Sequence, residues 1–165
     1  MQEALKLVNV SKYYKDFSLN SVNITLPTGC IMGFIGENGA GKTTILRMIL
    51  GMLASNGGEV LWKGKALNAV EDNVGYLAEE RGLYPKYDLL DQLLYFAKLR
   101  KVPKKEAMNR IKYWAERLQV TEYLFPPKVK GRKLAKPYKA EQLSKGNQQK
   151  IQLMATLISD PELII

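Results

Sequence analysis

The sequence predicts an α/β fold: a parallel-sheet core preceded by antiparallel strands, with a helical subdomain inserted before the last strand. Three observations carry this prediction. Apolar residues near the N-terminus alternate at period two, as in a half-buried strand. A glycine-rich segment at 36–44 lies between a short apolar run and an apolar stripe at helical spacing. From Asp88 onward the pattern turns helical, and it returns to a strand-like run only at Leu163-Ile164-Ile165.

Taken in order, Ala4 to Val10 alternates and predicts a first strand. Leu19, Val22, Ile24 and Leu26 predict a second, ending at the turn Pro27-Thr28-Gly29. Cys30 to Ile35 is continuously apolar, which predicts a strand buried on both faces, with Cys30 as a core residue. Ile45, Leu46, Met48, Ile49, Met52 and Leu53 predict a helix that stops at Asn56-Gly57-Gly58. Glu59–Trp62 and Val74–Leu77 predict further short strands. Leu89, Leu93, Phe96 and Ala97 mark one amphipathic helix; Ala107, Ile111, Trp114, Ala115 and Leu118 mark another, with Pro103 at its start. Three prolines and a glycine between 125 and 140 predict a loop or surface insertion. Ser144 then opens a helix burying Ile151, Met154, Ala155 and Ile158. Trp62 and Trp114 are expected to pack in the interior. The domain division expected is 1–84 with 156–165 as the core, and 85–155 as the helical subdomain.

Composition narrows the chemistry. The 165 residues contain no histidine, which excludes a histidine base or metal ligand within this sequence, and one cysteine, which excludes an internal disulfide. The longest apolar stretch, Ile45 to Ala54, is interrupted by Arg47 and too short to span a bilayer. The N-terminus lacks the basic-then-apolar pattern of a signal peptide. The net charge of +9 is concentrated. Lys98, Arg100, Lys101, Lys104 and Lys105 form one run; Lys128, Lys130, Arg132, Lys133, Lys136 and Lys139 form a second. Such runs read as a solvated face, with anionic lipid headgroups the next candidate. Nucleic acid is not expected as a partner, because no zinc-finger spacing or aromatic-interleaved RNA signature accompanies the charge.

Gly36-Glu37-Asn38-Gly39-Ala40-Gly41-Lys42-Thr43, followed by Thr44, matches G-x-x-x-x-G-K-[ST] in full. The glycines let successive backbone N–H groups converge on an anion, and the helix beginning here adds its partial positive charge. Lys42 supplies a point charge for the terminal phosphates. The Thr43 hydroxyl is placed to ligate Mg²⁺. The segment is thus the nucleoside-triphosphate site of a P-loop NTPase, with Mg²⁺ as the accompanying ion, and the loop alone does not separate kinases, GTPases, helicases and transporters.

Leu143-Ser144-Lys145-Gly146-Asn147-Gln148-Gln149-Lys150 resembles the signature segment of the ABC ATPases, whose common form is Leu-Ser-Gly-Gly-Gln. Val10 to Tyr14 resembles the family's adenine-stacking region, with Tyr14 as the aromatic. Gly75 to Tyr84 is similar to its Q-loop region, with Glu79 at the glutamine position as a second metal ligand. The resemblance covers nearly the whole chain. It implies a head-to-tail dimer in which Ser144, Lys145, Gly146 and Asn147 of one subunit close on the nucleotide held by the other. It implies a bacterial exporter type of ATP-binding subunit that energises a separate transmembrane permease from the cytoplasmic face of the membrane. The alternative is a soluble member of the family acting on ribosomes or DNA.

Three departures from the family pattern stand out. Lys145 and Asn147 replace the usual glycine and glutamine of the signature, while Ser144 and Gly146 remain. Glu79 replaces the Q-loop glutamine, in a Glu-Glu-Arg-Gly-Leu-Tyr stretch that resembles exporter ATPases of the sodium-extrusion and drug-resistance type. The sequence also stops at Asp160-Pro161-Glu162-Leu163-Ile164-Ile165, where the family's Walker B strand opens. The aspartate and glutamate of Walker B and the switch histidine have no counterpart, so no catalytic residue is assigned. Asp160 and Glu162 precede the apolar run and read as turn residues. The expectation is a C-terminally truncated ATPase whose 165 residues bind nucleotide weakly and turn it over negligibly.

Overall fold

A computed structural model describes residues 3–78, 82–127 and 136–165. The chain forms two compact units, Met1–Val74 and Gly75–Ile165. The first holds an antiparallel sheet and one helix; the second is mainly helical.

In the first unit, β1 (Glu3–Tyr13), β2 (Ser18–Pro27), β3 (Gly57–Trp62) and β4 (Lys65–Ala66) form a sheet in the order β2-β1-β3-β4. Its described pairings are antiparallel, as the alternating N-terminal segments predict. The step of three between Leu19 and Val22 breaks the alternation, and the structure explains it by a shift of register. Ser21 takes a positive φ of 48°, and its N–H donates to Ser11 Oγ at 2.9 Å. Across β1, the register also shifts around Asn9, where Gly58 comes so close that a β-carbon would lie 2.4 Å from the Asn9 carbonyl carbon. Only glycine permits that approach.

Helix α1 spans Lys42–Ile49 and ends earlier than its apolar spacing predicts. Gly51 (φ 69°) takes the left-handed region. Its N–H donates to Met48 O, and Met52 N–H donates to Arg47 O, at 3.1 and 2.9 Å. This 6→1 and 5→2 pair is the Schellman termination, so Met52 and Leu53 fall outside the helix. The buried apolar residues of this unit include Leu5, Leu7, Val10, Leu19, Ile45, Met48, Ile49 and the expected Trp62.

The segment Cys30–Ile35 departs from expectation. It belongs to neither sheet among the described residues, and Cys30 is exposed rather than in the core. Ile31 and Ile35 are fully open, at 102% and 99% of their reference area. A strand is buried on both faces only within a sheet that other layers cover on both sides, and no described strand pairs with this one. The apolar run is present; the partners that would bury it are not among the described residues.

β5 (Val74–Gly75), which spans the boundary between the units, and β6 (Leu163–Ile164) make a two-stranded sheet. Ile165 N–H donates to Gly75 O and Leu77 N–H donates to Ile165 O, at 2.9 and 2.8 Å. One residue bonding to both neighbours of its opposite number is the parallel pattern, which agrees with the predicted parallel core. Val74–Leu77 is regular strand only over its first two residues.

The helices fall where the periodicity puts them. They are α2 (Leu89–Leu99), α3 (Lys104–Arg117), a single-turn α4 (Thr121–Leu124) and α5 (Lys145–Leu157). Pro103 sits at the N-cap of α3, one place before its first residue. Their apolar stripes meet in one cluster that includes Leu89, Leu93, Ile111, Ala115, Leu124, Ile151, Met154 and Ile158. Phe96, Trp114, Leu118 and Ala155 pack at its margin. Two polar residues that no pattern flags also hold this unit. Gln92 is only 3% exposed; its Oε1 accepts from Tyr84 N–H, and its Nε2 donates to Tyr84 O and Tyr87 O. Arg110 donates from Nη1 to Ile158 O at 2.7 Å, placing a cation at the carbonyl end of α5 where the helix dipole favours it.

The first basic run is a solvated surface: Lys98, Arg100, Lys101, Lys104 and Lys105 are exposed. In the second, Lys136 and Lys139 are exposed, while Lys128, Lys130, Arg132 and Lys133 lie outside the described residues. No helix among the described residues is long and apolar enough to cross a membrane.

Candidate nucleotide-binding and signature segments

The glycine-rich loop runs from Gly36 into the N-terminus of α1. Gly39 and Gly41 have φ of 85° and 92°, conformations that side chains other than glycine rarely adopt. Ala40 N–H donates to Glu37 O at 3.3 Å and Ile45 N–H to Gly41 O at 3.0 Å, so the loop folds directly into the helix. Lys42 curls back over it. Its Nζ donates to Gly36 O at 2.7 Å and Glu37 O at 2.6 Å, which holds the ammonium over the loop. Residues 36–40 and Thr43 are exposed, and Thr44 is half-buried. The first turn of α1 carries no acidic residue, so nothing on the helix offsets the partial positive charge at its N-terminus. The arrangement suits an anion with several oxygens.

Tyr14 lies in the turn between β1 and β2, half exposed, with its N–H donating to Phe17 O at 2.8 Å. Its ring stacks on Phe17 with centroids 6.3 Å apart, and Lys12 Nζ lies 5.7 Å from the ring centre. Phe17 in turn rests against Gly41: a β-carbon there would be 2.8 Å from Phe17 Cζ. The candidate adenine platform and the phosphate loop are therefore joined through one ring, which the sequence reading did not single out.

The donor set also bears on a metal ion. Among the described residues no group of three or more histidine, cysteine, aspartate or glutamate side chains could hold one. Mg²⁺ retains waters and commonly takes one or two protein ligands plus phosphate oxygens, so a lone Thr43 hydroxyl beside the phosphate loop fits an ion that arrives with the nucleotide. Glu79, the second candidate ligand, lies outside the described residues.

Ser144 is the N-cap of α5, and its Oγ accepts from Asn147 N–H at 3.3 Å. This occupies an oxygen lone pair and leaves the hydroxyl proton free to be donated elsewhere. Ser144, Lys145 and Gly146 are exposed, and among the described residues nothing beyond its chain neighbours and its own helix backbone lies within 4 Å of where a Gly146 β-carbon would project. The first turn of α5 also lacks acidic residues. Asn147 is half-buried and donates from Nδ2 to Tyr123 Oη at 3.1 Å. Gln148 Nε2 donates to Ala140 O and Leu143 O, both at 3.0 Å. The Tyr123 phenol has its pKa raised from 10.0, first by desolvation and then by the adjoining Glu122 carboxylate, while the Asn147 amide opposes the rise.

At its far end α5 is pinned to the strand segment: Thr156 Oγ1 donates to Tyr76 O at 3.1 Å. A cavity of about 290 Å³ opens there, with Tyr76, Leu77, Phe96, Leu99, Gln152 and Thr156 in its lining.

A full G-x-x-x-x-G-K-[ST] loop at 36–43 that opens a helix marks the chain as a P-loop protein. Comparison with known proteins then identifies its family. The model of the ABC transporter family matches residues 19–165, and the chain belongs to that family. It is 40% identical over 163 residues to the uncharacterized ABC transporter ATP-binding protein YhaQ of Bacillus subtilis, covering 98% of this chain and 51% of that protein. It is 32% identical over 165 residues to the maltose/maltodextrin import ATP-binding protein MalK of Mannheimia succiniciproducens, covering 98% of this chain and 41% of that one. Among solved structures, cbiO1 from Clostridium perfringens, part of the ABC transporter complex cbiONQ, superposes with a TM-score of 0.79 at 19% identity, covering 99% of this chain and 64% of that chain. That likeness shows the fold. The chain spans about half the length of these curated relatives.

Proposed function

We propose that this chain is the ATP-binding part of a transporter ATPase and that it works as a head-to-tail dimer beneath a separate permease. The observation that carries the proposal is the pairing, in one chain, of a complete phosphate loop with a serine-capped, acid-free helix N-terminus. Each is suited to one side of a triphosphate. In the proposed dimer, main-chain amides of 36–44 and the Lys42 ammonium hold the phosphates, Thr43 meets the Mg²⁺ that accompanies them, and Tyr14 stacks on the adenine. Ser144, Lys145, Gly146 and Asn147 of the second subunit close the site. Mg²⁺ would supply charge neutralisation at the terminal phosphates. Dimer closure would then move α5, and with it the cavity bordered by Tyr76 and Phe96, where a cytoplasmic segment of the permease would dock. The names of the relatives support this reading: MalK is an import ATP-binding protein, and cbiO1 is part of a transporter complex.

Lys42→Ala tests the loop. Titration of the protein with Mg-ATP should show affinity lowered on the order of 10- to 100-fold, the worth of a charge-assisted contact. Thermal stability should be nearly unchanged, because the described hydrogen bonds of the Lys42 ammonium go to carbonyls of the loop itself. Equal affinity in the variant would overturn the assignment.

A further inference from the structure

The signature segment of this chain departs from its family's common form at Asn147, and the structure supplies a partner for that residue. Asn147 Nδ2 donates to Tyr123 Oη at 3.1 Å. Tyr123 sits on α4, a single turn that is itself tied down. Tyr138 N–H donates to Tyr123 O at 2.8 Å, and the two rings meet edge to face with centroids 5.3 Å apart. Tyr138 O accepts from Leu89 N–H, at the start of α2, at 2.9 Å. Tyr123 is thus tied by its backbone carbonyl and its ring to Tyr138, and through Tyr138 to the start of α2.

We propose that Tyr123 is a positioning residue for the signature segment, acting through Asn147. The reasoning runs through one residue with two bonds. Asn147 donates its backbone N–H to Ser144 Oγ and its side-chain amide to Tyr123. The second bond fixes the rotamer of Asn147 and keeps the backbone around it in place for the first. Ser144 Oγ therefore keeps its cap geometry over the first turn of α5, and the Asn147 side-chain amide is committed to Tyr123. A half-buried amide held by a half-buried phenol restrains this first turn more than a solvent-exposed cap alone. The inference rests on the reading of Ser144–Asn147 as the segment that closes on a partner's nucleotide.

The test uses the intact ATPase and four variants. Tyr123→Phe keeps the ring and its packing and removes the hydroxyl, with its bonds to the Asn147 amide and the Glu122 carboxylate. Its kcat for ATP should fall about three- to tenfold, the factor one hydrogen bond is worth. KM and the affinity for nucleotide at the phosphate loop should stay within about twofold. Asn147→Ala should cause a similar loss, and Tyr123→Phe with Asn147→Ala should be no worse than either alone, because both remove the same contact. Amide hydrogen exchange should quicken at 144–148 and stay unchanged in α2. Ser144→Ala is the control for the underlying reading. If it abolishes turnover while Tyr123→Phe is wild type, the positioning role is wrong and the signature assignment stands. If Ser144→Ala is itself wild type, the signature reading fails and takes this inference with it. Additive losses, or exchange quickened throughout the helical unit, would make Tyr123 a general packing residue and overturn the proposal.

Discussion

The ring of Phe17 rests against Gly41, the last glycine of the phosphate loop, so closely that a β-carbon on Gly41 would stand 2.8 Å from Phe17 Cζ. Gly41 also has a φ of 92°. The tips of Phe17 and Leu19 can shift; the backbone angle cannot relax without moving the N–H groups that begin α1. Gly41→Ala should therefore cost about 1–3 kcal/mol of stability and weaken Mg-ATP binding as well. Chemical denaturation and nucleotide titration on the same samples measure both. A variant that loses neither would mean that the loop does not hold this geometry in solution.

Gln92 makes a prediction of a different kind, because it is buried and fully engaged. Its amide satisfies Tyr84 N–H, Tyr84 O and Tyr87 O together. Gln92→Leu matches it closely in volume but takes the side-chain partner from all three groups, leaving Tyr84 O with the Tyr87 N–H at 3.4 Å. The expected loss is about 1–3 kcal/mol, with the 84–87 turn loosened. Denaturation gives the first quantity, and amide exchange at Tyr84 gives the second.

The phenol of Tyr123 sets a pH dependence whose sign is fixed. Its pKa in the folded chain lies above the ordinary 10.0, mainly through desolvation. The folded state therefore holds this proton more tightly than the unfolded one. Its contribution is complete below about pH 10 and is lost as pH rises through the folded value. Stability attributable to Tyr123 should be flat from about pH 6 to 9 and fall only beyond about 10. Comparing denaturation of wild type and Tyr123→Phe across that range checks it: the difference between them should change only at the alkaline end.

Much of the fold and part of the site were legible in the sequence, for physical reasons that also explain what was not. Period-two and helical spacings reflect burial on one face, so β1, β2, α2, α3 and α5 were found wherever one face is in fact buried. Cys30–Ile35 has the same apolar signal, yet burial needs partners as well as composition, and the described strands supply none to it. The apolar rhythm of α1 continues through Met52 and Leu53, while Gly51 ends the helix before them through its backbone conformation. The cap at Ser144 was legible because a serine before a helical stripe has a local meaning. Its support from Tyr123 was not, since 24 residues separate Tyr123 from Asn147 and a tyrosine has no spacing that betrays a hydroxyl contact. Gln92 and Arg110 were missed for the same reason: each acts on distant backbone carbonyls, which no side-chain pattern records.

The composite site is tested most directly by mixing two inactive proteins. On the proposed reading, Lys42→Ala disables the phosphate loop of a subunit, and Ser144→Ala disables the segment proposed to close on its partner's nucleotide. In a mixed head-to-tail dimer, one of the two sites combines the intact loop of the Ser144→Ala subunit with the intact serine of the Lys42→Ala subunit. Each variant of the intact ATPase alone should be inactive, and an equal mixture should recover about a quarter of wild-type turnover if subunits exchange freely and the two sites act independently. A mixture as inactive as its components would mean that loop and signature do not meet across a subunit boundary, which contradicts the account.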